Sequence, residues 1–368
     1  MSESKPVIVV SASRFFQGGT VAITGECLKV LDQYASDKYA IKAIVFKKNI
    51  YPELKNVEYI EIPDMSKFFL KRIYAEYIRF NKLSKKWKPY LWISMQDSTP
   101  KVVAEKQIVY FHNPLINNKL KTSSLFIQPK LFFLKWLYKN VYIKNIETND
   151  FIICQQQTLI NYFKQQFTIP DHKFILFPPR RIQQYDKNAS TKENSIYSFV
   201  FPATAFMYKN FDVLLKAAKL LHKKRNDFEI TLTITGRENA YTRNLLRKYA
   251  AKNIHFSGFQ PKEKLLELYQ QADCMVFPSE VETWGLPLSE FSILNKPIIC
   301  SDLPYARETL NGYNKVKFFN QRDPKELMHL MEKAITNELT FDENPSVQFD
   351  NKVNNWLELF QKTGLQLS

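Results

Sequence analysis

Between Cys274 and Cys300 the chain runs through a short apolar stretch, a turn bearing glycine and proline, a helical stretch and a second apolar run, an order that few folds accommodate. Cys274-Met275-Val276-Phe277-Pro278 reads as a buried strand, Pro287 at a first helical position opens a helix through Asn295, and a second strand follows from Pro297 to Cys300. Units of this kind build parallel sheets. Ligands then lie beyond the strand's carboxyl end, where a helix amino terminus offers N–H groups and a partial positive charge to a phosphate. Across this turn two carboxylates, Glu282 and Glu290, stand eight residues apart. Gly285 and Leu286 are expected to face a diphosphate. Glu290, placed in the first helical turn, is expected to accept hydrogen bonds from vicinal hydroxyls such as those of a ribose, and Glu282 to reach a sugar. Taken alone, either glutamate is equally well explained as an acid complementing the helix dipole.

Together with the flanking strands, Gly285 and Pro287, this Glu, seven residues, Glu pattern resembles the retaining glycosyltransferases of family 4. The resemblance extends over most of the chain and is strongest from Phe199 to Asp323. It implies an α/β protein of the GT-B fold, two Rossmann-like domains facing a central cleft. It also implies that Glu290 holds the nucleotide ribose and Glu282 contacts the donor sugar, with Thr283, Trp284, Gly285 and Leu286 lining the donor site between them.

Length and composition suit an enzyme of this class, since 368 residues at 45% hydrophobic content fill two cores of ordinary size. Cys27, Cys154, Cys274 and Cys300 lie far apart inside apolar runs without metal-ligand spacing, which predicts buried thiols and a cytoplasmic setting. Met1 to Lys5 leads straight into an expected strand from Pro6 to Val10, without the pattern of a signal peptide, and no apolar run approaches the roughly 18 residues that span a bilayer.

A net charge of +16 points to an anionic partner. From Lys67 to Lys88 there are eight basic residues and one acid, Glu76, while Phe69, Ile73, Tyr77, Phe80, Leu83 and Trp87 recur on one helical face. Such a basic amphipathic helix either packs its apolar face on the amino-terminal core or meets an anionic membrane surface or a lipid-linked acceptor. Lys130 to Lys139 mixes aromatics and lysines in the same way. Nucleic acid is excluded as a partner because no RNP-like, helix-turn-helix or zinc-finger pattern accompanies the charge.

The chain reads as one α/β unit followed by another. An acceptor-binding domain is expected over 1–180, a polar linker over 181–197, a nucleotide-sugar-binding domain over 198–345, and over 346–368 a segment whose helix, from Asn351 to Gln361, crosses back to the first domain as it does in the family. In the first half, Gly18 and Gly19 follow the first strand, where adjacent glycines let the backbone approach a donor phosphate, and Thr20 is expected to cap the next helix, running through Leu31, and to face the acceptor. A plain tight turn explains the same glycines. His112, in Val109-Tyr-Phe-His-Asn-Pro114, ends an apolar strand, and the phrase resembles the His-Asn-Pro segment of related bacterial polysaccharide glycosyltransferases, in which such a histidine contacts the transferred sugar. Asn113 beside it is assigned to the acceptor. Gln96 and Asp97 also end a strand and suit either acceptor hydroxyls or turn chemistry before Pro100.

In the second half a strand is expected from Phe199 to Ala203, and Lys209-Asn210 opens a helix through Leu221, which sets the Lys209 ammonium where it neutralises a diphosphate leaving group. Family members commonly carry an arginine a few residues before this lysine. Thr204 to Tyr208 contains none, so Arg237 or Arg180 supplies the charge, or Lys209 acts alone. Gly258 and Phe259, before a helix from Lys262, resemble the segment that receives the nucleobase. The resemblance therefore implies a retaining transferase working without a metal or other cofactor, with His112, Glu282 and Lys209 at the reacting centre. A nucleotide sugar, uridine favoured over guanosine, is the donor, and a glycan or lipid-linked hydroxyl in surface-polysaccharide assembly at the cytoplasmic membrane face is the acceptor. Two rivals share the fold, a sugar-nucleotide epimerase and a catalytically silent nucleotide-sugar-binding subunit.

Overall fold

A computed structural model describes residues 5–16, 18–63, 69–113, 133, 136, 137, 140, 141, 143–179 and 196–367. These fall into two compact units. One holds the described residues up to 113, those from 133 to 179, and 349–367; the other holds 196–348.

Among the described residues the first unit carries a seven-stranded parallel sheet in the order β3-β2-β1-β4-β5-β6-β7. Its strands are β1 (Val7–Ala12), β2 (Ala40–Val45), β3 (Val57–Glu61), β4 (Leu91–Ser94), β5 (Lys106–Phe111), β6 (Phe151–Cys154) and β7 (Phe174–Leu176). Alternation along β1 divides its side chains between two cores, as a sheet covered on both faces requires. Ile8, Val10 and Ala12 join Leu28 and Leu31 of α1 (Gly19–Tyr34). Val9 joins Ile44, Trp92 and Phe80 on the opposite face.

The amphipathic stretch forms α2 (Phe69–Tyr74), one wider π-type turn at Ala75–Arg79 and α3 (Phe80–Trp87). Phe80 is fully buried and Leu83 and Trp87 pack beside it, so much of the apolar stripe serves the core. Tyr74 and Ile78 stay exposed, as do Lys82, Lys85 and Lys86. Lys67 lies outside the described residues, and so does most of Lys130 to Lys139. Further along the chain lies α4 (Gln157–Gln166), whose Leu159, Ile160 and Phe163 fill a third apolar cluster.

In the second unit six parallel strands run in the order β10-β9-β8-β11-β12-β13. They are β8 (Tyr197–Phe201), β9 (Phe228–Leu232), β10 (Ile254–Phe256), β11 (Cys274–Phe277), β12 (Ile298–Ser301) and β13 (Val316–Phe319). The helices between and after them are α5 (Phe211–His222), α6 (Ala240–Tyr249), α7 (Lys262–Gln271), α8 (Leu286–Ser292), α9 (Pro304–Thr309) and α10 (Pro324–Ile335). In both sheets the strand order reverses where the first strand meets the fourth, β1 with β4 and β8 with β11. Doubly wound sheets bind ligands at that reversal, because the loops leaving the two strands turn to opposite faces and leave a crevice between them.

Chain residues 349–367 return to the first unit. Leu176 N–H donates to the Asn351 carbonyl at 3.2 Å and Val353 N–H to the Leu176 carbonyl at 2.9 Å. Helix α11 (Trp356–Lys362) lays Trp356, Leu359 and Phe360 into the core beneath α1. It begins later than the expected Asn351, since the Asn355 side chain caps it by accepting the Glu358 N–H at 2.9 Å. Of the expected linker, 181–197, only Ile196 and Tyr197 fall among the described residues, and Tyr197 already belongs to β8.

All four cysteines are buried. Burial pushes the thiols of Cys27, Cys274 and Cys300 well above the ordinary range, which disfavours the reactive thiolate. Among the described residues no helix is long and apolar enough to cross a membrane.

Candidate functional site

At the switch point of the second sheet, the loop leaving β8 and the loop leaving β11 meet through an ion pair. Lys209 Nζ donates to Glu282 Oε1 at 2.5 Å, with both side chains largely buried. Lys209 does not open α5. It closes a short 3₁₀ turn, Met207–Lys209, and Asn210 follows in the left-handed region at φ 59°, so the helix starts at Phe211. The Asn210 amide fixes that bend by donating to the carbonyls of Pro278 (3.2 Å) and Gln321 (2.8 Å). Glu280 N–H donates to the Tyr208 carbonyl at 2.8 Å and ties the two loops together beside the pair.

Beyond Glu282, Thr283 is half-buried and Trp284 is buried. The Trp284 carbonyl accepts the Thr309 hydroxyl. Gly285 takes φ 74° and ψ 56°, and a Cβ there would also press on Leu288 Cδ1 at 3.3 Å. This left-handed residue makes α8 begin at Leu286, which puts Pro287 second. Glu290 therefore falls past the first turn, a correction to the expected placement; no acid occupies that turn. Helix-dipole complementation, which fades beyond the first turn, is then a poor explanation of Glu290.

Glu290 is only 5% exposed, and its Oε1 accepts a hydrogen bond from Lys262 Nζ. Lys262 is the first residue of α7, where the helix dipole disfavours a cation. A cation at that position is the one feature of the sequence that could have singled out Lys262; its partner is visible only in the structure. Just before it, Gly258 is buried at φ 75° and Phe259 is 87% exposed. Arg237 is exposed in the loop after β9, and its backbone N–H donates to Thr235 Oγ1 at 3.1 Å. Arg180 lies outside the described residues.

In the first unit the loops leaving β1, β4 and β5 converge. Gly18 and Gly19 are exposed, and Gly18, at φ 77°, is the residue that precedes α1. Thr20 consequently lies inside the helix and does not cap it. Its carbonyl accepts the Thr24 hydroxyl at 2.9 Å. Gln96 is fully buried, and its Oε1 accepts the Arg14 N–H (2.9 Å) and the Ser13 hydroxyl (3.1 Å), joining the β1 loop to the β4 loop. The Arg14 guanidinium donates to the Gln96 carbonyl at 2.5 Å and stands 3.9 Å from Glu76, a carboxylate buried in the π-type turn.

Asp97, 3% exposed and at φ 57°, turns its carboxylate to His112. Oδ1 accepts the His112 backbone N–H at 2.5 Å, and Oδ2 lies 3.3 Å from Nε2. Rings of Phe15 and Tyr110 flank the imidazole with centroids at 5.1 and 5.7 Å. Burial lowers the His112 pKa below the ordinary value; Asp97 opposes the shift and Arg14 adds to it. Asn113 is half-buried, and Pro114 lies outside the described residues.

Two doubly wound parallel sheets, with polar residues gathered at the carboxyl ends of their strands, are the fold of the GT-B glycosyltransferases. Residues 183–354 match the sequence profile of the family described as glycosyl transferases group 1. The GtfA subunit of the UDP-N-acetylglucosamine–peptide N-acetylglucosaminyltransferase of Streptococcus pneumoniae is 24% identical over 189 residues, 48% of this chain and 37% of that protein. The match thus spans little more than a third of that relative's length.

Likeness in structure extends further along the chain. WaaG, a glycosyltransferase involved in lipopolysaccharide biosynthesis, superposes with a TM-score of 0.66 at 14% identity, covering 90% of each chain. Anabaena Alr3699/HepE, solved in complex with UDP and glucose, gives a TM-score of 0.60 at 12% identity over 91% of each chain.

Proposed function

We propose that the protein is a retaining glycosyltransferase that moves a sugar from a nucleotide-sugar donor to a hydroxyl of a glycan or lipid-linked acceptor in surface-polysaccharide assembly. The Lys209–Glu282 pair at the β8/β11 switch point carries this reading. A cation beside an acid at the end of two adjacent parallel strands suits a diphosphate and its attached sugar. The profile match over 183–354 covers this same region.

In this reading the second unit holds the donor. Lys209 takes up the charge of the departing diphosphate, Glu282 holds the sugar and Glu290 the ribose. Catalysis comes from orientation and charge stabilisation, and neither a protein nucleophile nor a metal is needed. The first unit supplies acceptor and sugar contacts around His112, with Gly18 and Gly19 at the mouth of the β1 loop. Lys82, Lys85 and Lys86 with exposed Tyr74 and Ile78 suit a peripheral contact with an anionic membrane.

The test is a matrix of nucleotide sugars against glycan and lipid-linked acceptors, with the anomeric configuration of any product read by NMR. Acceptor-dependent transfer with retention supports the reading. A new sugar isomer formed without an acceptor marks an epimerase, and binding without turnover under every condition marks a silent subunit. Either result displaces the proposal.

A further inference from the structure

Lys262 has no role in the reading above, yet it sits on the carboxylate assigned to the ribose. We propose that Lys262 and Glu290 act as one pair that reads a vicinal diol, making Lys262 the residue that selects ribonucleotides over 2′-deoxyribonucleotides. The inference rests on the proposed nucleotide-sugar site and deepens it.

Chemistry of the two groups drives the argument. A carboxylate only accepts hydrogen bonds, so by itself it meets a diol solely through the two O–H donors. An ammonium carries three N–H donors, and the Lys262 Nζ is committed to Glu290 Oε1 through one of them. Its side chain is 40% exposed while that of Glu290 is 6% exposed, so the lysine forms the solvent side of the pair and the glutamate its floor. A ribose placed against this pair donates from its hydroxyls to Glu290 and accepts on a hydroxyl oxygen from Lys262. Removing the 2′-hydroxyl leaves one of these charged groups short of a partner, a costlier loss than that of a hydrogen bond between neutral groups.

Placement supports the same role. Glu290 lies on α8, which follows β11 at the switch point, and Lys262 starts α7 directly after Gly258 and Phe259. The pair therefore joins the segment expected to receive the base to the one expected to receive the ribose. Its cost to α7, a cation at the positive end of the helix dipole, is offset by the ion pair.

The experiment is titration calorimetry of the whole protein with each ribonucleoside diphosphate and its 2′-deoxy counterpart, for wild type, Lys262→Met and Lys262→Arg, with circular dichroism to confirm folding. Wild type is expected to favour the ribonucleotide by roughly tenfold or more. Lys262→Met should lower ribonucleotide affinity severalfold, leave deoxynucleotide affinity within about twofold and so narrow the preference to what Glu290 alone sustains, whereas Lys262→Arg keeps most of it. A wild-type ratio near one overturns the proposal without any variant. So does an equal loss on both ligand series, which marks a general attraction to the diphosphate, or no change in either. If wild type binds no nucleoside diphosphate at all, the nucleotide-sugar reading itself fails, an outcome distinct from all of these.

Discussion

One carboxylate, that of Asp97, grips His112 twice, through the backbone N–H at 2.5 Å and beside the ring Nε2 at 3.3 Å. Nε2 thus faces the carboxylate, while Nδ1 is buried and makes no hydrogen bond among the described residues. A ring proton held on Nε2 by Asp97 leaves the Nδ1 lone pair as an acceptor, the form that the proposed sugar contact requires.

Asp97→Asn is expected to reverse this arrangement, because an amide N–H donates to Nε2 and moves the ring proton to Nδ1. Nitrogen NMR of labelled histidines, assigned with His112→Gln, should report the change of tautomer. Transfer should fall on the order of ten- to a thousandfold while nucleoside diphosphate binding holds. An unchanged tautomer, or unchanged transfer, removes His112 from the reacting centre.

The two glutamates should separate by ligand. Glu290→Ala removes a charge-assisted contact worth roughly 1.5 to 3 kcal/mol, so affinity for the bare nucleoside diphosphate should drop about ten- to a hundredfold. Glu282→Ala releases Lys209 from its partner and should leave that affinity undiminished, while transfer and binding of the intact nucleotide sugar decline. Calorimetry with both ligands decides between these patterns and a merely structural role for either acid.

Activity should survive a chelator, since Lys209 is given the charge-neutralising task that a divalent ion performs in other transferases. Loss of transfer in chelator, restored by magnesium or manganese, would contradict this.

Glu76 predicts a pH dependence of stability. Burial raises its pKa, with Arg14 and Arg72 pulling it back, so the folded chain keeps this proton to a higher pH than the unfolded chain does. The associated stability is fully present below the ordinary carboxylate value of about 4.3 and is lost as pH rises through the elevated one. Glu76→Gln lacks the titration. Urea midpoints should therefore show wild type losing ground to the variant as pH rises from about 4 toward 7. A constant difference between them would place Glu76 outside this account.

Vesicle sedimentation tests the exposed basic face of α2 and α3. Binding to anionic lipid should weaken with salt and with Lys82, Lys85 and Lys86 changed to Glu; indifference to both leaves the stripe as core packing alone.

Local sequence determined the periodic elements and the motif. Cys274 to Phe277, a short apolar run bounded by Pro278, reads as the buried strand that it forms, and the eight-residue spacing of Glu282 and Glu290 was legible without coordinates. Helix starts were less legible. Thr20, Lys209 and Pro287 each looked like an opening residue, but left-handed residues at Gly18, Asn210 and Gly285 set the true starts, and a glycine or asparagine permits that dihedral without fixing it.

Partnership was decided by tertiary structure alone. Lys209 meets Glu282 across 73 residues and Lys262 meets Glu290 across 28. Gln96 and Asp97, polar residues at a strand end, turn inward to the Arg14 and His112 backbones, since a converging loop buries N–H groups that must find acceptors. Charge pairing depends on which loops the parallel sheet brings to its switch point. That is a property of strand order, and strand order emerges only when both faces of the sheet have been covered.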